Sequence, residues 1–172
     1  MDAIWLRRSL AAQVILAAYF QAFTWFPLGS LNDQGGIHNR PLVEQIKSGT
    51  ATFGDAAFAL AFVVPVVLSL VGYHRHLRLV LWLSIVFYVV WFALQVQGWW
   101  VAYIFGASEN WQRVYHRVFG RTLKILPSWG NHLAPDAMHL LLQLLLLVVI
   151  VFGVIGLMRR EQVNNRCAGT SA

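Results

Sequence analysis

Pro135-Asp136-Ala137-Met138-His139-Leu140-Leu141-Leu142-Gln143 opens an apolar run that continues to Met158. A membrane-crossing helix needs about 20 largely apolar residues, so residues 137–158 read as one span. Asp136, His139 and Gln143 are spaced i, i+3, i+7 and fall on one helical face. Polar and ionisable groups inside a bilayer are costly and normally point into a bundle or a wet cavity. All three lie within two turns of the helix start, which puts the polarity at one membrane surface rather than at the midplane.

Three more uncharged stretches precede this one: Ser9 to Asn32, Ala56 to Tyr73 and Leu79 to Ser108. Of the 172 residues 58% are hydrophobic and 12% charged, with a mean hydropathy of +0.58; soluble domains carry about 25% charged residues. The expectation is an all-α polytopic membrane protein, a single four-transmembrane-helix bundle over residues 1–172. Its helices fall at about 9–26, 56–72, 79–105 and 137–158, with outer connectors 28–55 and 106–134 and a polar tail 159–172. Arg7 and Arg8 resemble a signal-peptide n-region, but Gln21-Ala22-Phe23 lacks the small residue of a cleavage site, so the first helix is expected to be retained. Pro27 stops it, Asn32-Asp33-Gln34-Gly35-Gly36 is a turn cluster, and Pro41 to Lys47 suits a short helix. Pro65 is expected to kink the second span.

Four crossings put both termini on one side, with Arg7, Arg8, Arg75, Arg78, Arg159, Arg160 and Arg166; the other side holds Arg40, Lys47, Arg113, Arg117, Arg121 and Lys124. The totals are nearly equal, but all of the first set except Arg166 sit flush against helix ends, where the positive-inside rule is strongest. The chain is therefore expected in a bacterial-type plasma membrane with both termini cytoplasmic. The net charge of +6 lies in short juxtamembrane segments that suit anionic headgroups. No nucleic-acid-binding pattern occurs, so nucleic acid is not an expected partner.

Each span contributes polar groups near the outer surface: Gln21 and Thr24; Asp55; Gln95 and Gln97 followed by Trp100; Asp136, His139 and Gln143. Residues 56–68 and 144–155 are almost wholly apolar. The helices are thus expected to close on the inner side and open a polar pocket on the outer one. Its expected ligand-binding residues are Asp136, His139, Gln143, Gln95, Gln97, Trp100 and Asp55. The competing account makes these groups interhelical glue, each bond worth about 0.6 kcal/mol, with Asp136 complementing the helix dipole.

Residues 107–122 form an amphipathic pattern, with Arg113, Arg117 and Arg121 on one side and Trp111, Tyr115, Val118 and Phe119 on another. Such a helix lies in the headgroup zone as an anchor or a lid; Ser108 is its N-cap, and the arginines are expected to contact headgroups or anions. His132, Asp136 and His139 are weak candidates for a metal, and zinc would need further ligands from Asp33, His38, Glu44 or Asp55. Haem is disfavoured because His139 alone approaches a helix interior. Disulfide redox chemistry is disfavoured because Cys167 is the single cysteine, whereas four-helix thiol oxidases need cysteine pairs. Asp136 and His139 are spaced for acid–base work, but no GxSxG nucleophile accompanies them. Whether the chain is an enzyme stays open at this level. The expected function is binding, and conceivably processing, of a small amphipathic or lipid-like ligand. The alternative is a non-catalytic subunit that packs against another membrane protein or a second copy, and transport ranks last because the inner half lacks a polar path.

Overall fold

The computed structural model describes residues 3–36 and 39–169. It is all-helical, with no strands among the described residues. The helices are α1 (Ala3–Trp25), α2 (Leu42–Ser48), α3 (Phe53–Ala59), α4 (Val63–His74), α5 (Arg78–Val96), α6 (Ala102–Phe105), α7 (Glu109–Phe119) and α8 (Ala137–Gly169). A π-helical turn, Gln97–Val101, joins α5 to α6. The long helices make a closed ring of contacts: α1 lies along α8, α8 against α5, α5 against α4, and α4 back against α1.

Two stretches, Arg78–Phe105 and Ala137–Arg159, are long and apolar enough to cross a membrane; the bent pair α3 and α4 makes a third if it counts as one span. The 23-residue α1 is long enough but is broken up by Arg7, Arg8, Gln13 and Gln21. It also starts earlier than the expected residue 9, taking the basic lead into the helix, where the Arg8 guanidinium lies 4.9 Å from the Trp5 ring centre. α8 likewise runs past Met158 into the expected tail.

The second span departs from expectation at its proline. Pro65 does not kink a continuous helix; it sits in the first turn of α4, and α3 and α4 meet at 45°. The ring of a proline clashes with the carbonyl four residues back and supplies no N–H to it. That carbonyl belongs to Ala61, so the chain breaks over Leu60 to Phe62 and turns there through the short-range bonds Ala61 N–H to Phe58 O and Val63 N–H to Leu60 O. The Gln21 side chain of α1 donates to the freed carbonyl of Ala59.

Polarity runs inside out. Ser9, Gln13, Ser69, Ser84 and Gln143 are buried, while Val14, Ile15, Val64, Val67, Leu83, Val86, Leu144 and Val148 face outward. Gln13 donates to Ser9 Oγ (3.3 Å) and accepts from the Tyr88 hydroxyl (3.3 Å). The core between the helices is aromatic and aliphatic, centred on Leu16, Phe20, Phe62, Tyr88, Leu146 and Val149. At the end that carries the chain's N-terminus the ring tightens: a Cβ added to Gly153 would stand 2.0 Å from Ile85 Cδ1, and one on Gly156 would stand 3.3 Å from Leu6.

The C-terminal end of α1 is closed by Asn32, from the predicted turn cluster. Its amide donates to the carbonyls of Phe23 and Phe26 (2.7 Å each) and its oxygen accepts from Leu28 N–H (2.7 Å). These groups would otherwise be helix-end orphans. Asn32→Ala is expected to lower stability by about 2 kcal/mol, read as thermal unfolding in detergent, whereas Asp33→Ala at the exposed neighbouring position stays near neutral; equal effects at both positions would contradict this assignment.

Candidate functional site

The start of α8 is built around one carboxylate. Asp136 is fully buried, and its Oδ1 accepts from His139 N–H (2.8 Å), capping the first turn. The same oxygen lies 2.7 Å from His139 Nδ1. Oδ2 accepts from the Thr122 hydroxyl (3.1 Å), which in turn accepts from Lys124 Nζ (2.7 Å). Backbone bonds from Ala137 N–H to Leu123 O (2.9 Å) and from Leu123 N–H to Ser30 O (2.7 Å) tie this corner to the second and first connectors. Burial by itself raises the Asp136 pKa, but the bond from the His139 ring, the positive charge that ring carries when protonated, the bond from the His139 backbone and the bond from Thr122 outweigh burial and hold the carboxyl below its ordinary range. Lys124 moves the other way: burial lowers its pKa, and the attraction of Asp136 opposes that shift.

His139 is wedged between rings. Trp99 lies against it with centroids 4.3 Å apart and planes 34° apart, and Phe119 meets it edge-on at 5.4 Å. The π turn makes this possible. Its additional residue per turn lets the consecutive indoles Trp99 and Trp100 both reach α8, the second donating to Gln143 Oε1 at 2.6 Å. α7 forms as expected behind Ser108, whose hydroxyl accepts from Trp111 N–H (3.3 Å), and buries Tyr115 and Val118 while Arg113 and Arg117 stay exposed. The Tyr115 hydroxyl donates to Ala134 O (2.7 Å), fastening α7 to the start of α8.

Two cavities meet here. The inner one, about 380 Å³, takes its wall from α1 (Phe20, Phe23, Thr24), the first connector (Asn32, Arg40, Leu42), α3 (Asp55, Phe58), α5 (Trp91, Gln95), α7 (Phe119) and α8 (His139, Leu142). Thr24 Oγ1, Trp91 Nε1 and Gln95 Oε1 are shielded from solvent and have no hydrogen-bond partner among the described residues. The outer cavity, about 670 Å³, lies between the first connector and the end of α7 and is lined by Arg40, His116, Arg117 and Arg121 along with Asp33 and Glu44. Among the described residues those three arginines make no ion pair. Asn32, Gln34, Arg40 and Pro41 belong to both walls, so the cavities adjoin.

Of the residues expected from sequence, Asp55, Gln95 and His139 line the inner cavity and Arg117 and Arg121 the outer. Asp136 stands behind His139. Gln143 and Trp100 bond each other outside both walls, Gln97 is exposed, and Arg113 borders a separate cleft on the far side of α7. His132 is turned away from Asp136: its Nδ1 is 2.8 Å from Tyr103 O and its ring stacks on Trp129. Among the described residues no three His, Cys, Asp or Glu side chains cluster as metal ligands; His38 and the Cys167 side chain lie outside the described residues. Thr24, Trp91 and Arg40 were not singled out as site residues from sequence. Trp91 is one aromatic among many, and its only available signal is an indole N–H set deep in an apolar helix. No protein-family model, curated protein sequence or solved structure matches this chain.

The Asp136 geometry fixes a pH dependence. A carboxyl held below its unfolded pKa contributes stability that is complete above the ordinary value of 3.8 and is lost as pH falls through the folded value. Asp136→Asn is expected to cost about 1–3 kcal/mol at neutral pH and to lose this component of the fall in melting temperature below about pH 4. An identical acid limb in wild type and variant would refute the assignment.

Proposed function

We propose that the chain is an integral membrane protein of four crossings, with both termini cytoplasmic in a bacterial-type plasma membrane. In this reading its two adjoining cavities hold one small, amphipathic, anionic, lipid-like molecule from the outer leaflet. The fourth crossing is α1. Its composition alone falls short, but its polar groups Ser9 and Gln13 are turned into the bundle and its outward residues Ile4, Val14 and Ile15 are apolar, as a lipid-facing helix requires. Trp5 with Arg8 and Arg159 on its ring suits the inner interface. α7, with its exposed arginines, lies in the outer headgroup zone.

The observation that carries the ligand reading is the shared wall. Three unpaired arginines border the outer cavity, and an aromatic chamber with orphaned polar atoms lies directly behind it. Buried polar atoms without partners are uncommon in folded proteins; among the described residues those of Thr24, Trp91 and Gln95 belong to side chains that line this one chamber, while Ser69 and Gln143 carry others elsewhere. An anionic head at Arg40, Arg117 and Arg121 and an apolar chain against Phe20, Phe23, Phe58 and Leu142 use both halves of the space.

The test uses purified protein in neutral phosphatidylcholine vesicles titrated with phosphatidic acid, following tryptophan fluorescence. Saturable quenching is expected, weakened about tenfold (~1.4 kcal/mol) by Arg40→Ala. Gln95→Leu is expected to weaken binding while leaving thermal stability unchanged or raised, because it removes an unpaired acceptor. A clear loss of stability with no change in binding would return Gln95 to a packing role.

A further inference from the structure

Resting on that ligand reading, we propose that the inner cavity is a hydrolytic site in which His139, oriented by Asp136, acts as general base toward a carboxylic ester of the bound amphiphile. The imidazole is fixed in every respect a base requires. Asp136 takes Nδ1 at 2.7 Å, which leaves Nε2 as the nitrogen available to a ligand. Trp99 and Phe119 hold the ring plane. Nε2 makes no hydrogen bond among the described residues, and the ring is part of the inner cavity wall.

Only one contact with the fold uses the imidazole itself, the Nδ1 bond to Asp136. The helix cap is already made by the bond from the His139 backbone N–H to Asp136, and any planar ring would fill the slot between Trp99 and Phe119. A buried carboxylate that holds one imidazole nitrogen so that the other faces a cavity is the arrangement that makes histidine an effective proton acceptor near neutral pH. The same wall supplies the remaining parts. Thr24 Oγ1 and Gln95 Oε1 offer the polar partners an ordered water needs. The unpartnered Trp91 N–H is a donor for a carbonyl oxygen that becomes negative.

The position of the ester follows from the order of the two cavities. In an acylated glycerophosphate the ester lies between the anionic head and the alkyl chain. With the head at Arg40, which belongs to both walls, and the chain against the aromatic wall, the ester falls within the inner cavity, whose wall includes His139. Water then attacks the carbonyl carbon and gives its proton to His139 Nε2. The carbonyl oxygen takes up the electron pair, and the tetrahedral centre collapses with cleavage of the C–O bond to the alcohol. The leaving oxygen takes the proton back from Nε2. A carboxylate and an alcohol are released with net loss of one proton to solvent, and the imidazole is again neutral.

The experiment uses the full chain in mixed micelles with a glycerophosphate carrying one dodecanoyl ester, and its non-cleavable ether analogue as the binding probe. Wild type is expected to bind the ether and to release dodecanoate from the ester, with one oxygen from labelled water entering the carboxylate. His139→Gln is expected to lower release at least 100-fold while ether binding stays within threefold, which shows that the variant is folded. His139→Ala is expected to regain release on addition of imidazole, which a structural histidine would not show. Ether binding with an intact ester in wild type, or undiminished cleavage by His139→Gln, overturns the hydrolytic assignment and leaves the ligand reading standing. Failure of wild type to bind the ether overturns both.

Discussion

The carboxylate of Asp136 is the constraint on which the cavity-bearing half of the molecule depends. A buried charge is tolerated only where donors replace the water it has lost. Here the donors come from the first turn of α8, from Thr122 and, through that hydroxyl, from Lys124. Satisfying one anion therefore fixes where α8 begins, how the second connector folds back over it, and which way His139 faces. Trp99 and Phe119 then pack on a ring that is already immobile. The cavity wall is a product of this chain of requirements rather than a space left over between helices.

The other half follows a different logic. Gly153 and Gly156 bring α8 close to α1 and α5, and the polar side chains there, Ser9 and Gln13 with Tyr88, are paired with one another. Small residues and internal pairing are how helices associate where burial from lipid supplies no hydrophobic gain. The cavity-bearing half leaves Thr24, Trp91 and Gln95 unpaired. Among the described residues Ser69 Oγ is also buried without a partner, so what sets the cavity apart is the gathering of three such side chains on one wall.

Much of this was legible in the sequence because apolar run length and polar position along the chain are one-dimensional quantities. The all-helical architecture, the apolar stretches 79–105 and 137–158, the capped helix after Ser108 and the approach of Asp55, Gln95 and His139 to one cavity follow from them. What was not legible depends on rotation and on contacts distant in sequence. The π turn at Gln97–Val101 carries no compositional mark, yet it turns Gln97 outward and brings both Trp99 and Trp100 to α8. Pro65 announced a disturbance, but the break falls before it, over residues 60–62, because the clash is with the preceding turn. His132 was grouped with Asp136 and His139 by spacing alone; the chain between them is not helical, so the ring turns to Tyr103 and Trp129. Arg40 and Trp91 become site residues through the meeting of a connector with α5, a juxtaposition no local pattern encodes.

The ties of α7 to the start of α8 make the two rims of the cavity mouth unequal. On one side the Tyr115 hydroxyl on Ala134, the Leu123 carbonyl on Ala137 and the Thr122 hydroxyl on Asp136 join connector and helix into a single stiff piece. On the other, the first connector meets that piece through main-chain bonds, Gly35 N–H to Val118 O and Leu123 N–H to Ser30 O. At Gly35 even a methyl group would strike the Arg117 carbonyl, 1.9 Å away. On that rim the mouth is thus closed by main chain packed on main chain, which leaves the position at Gly35 no room for a side chain.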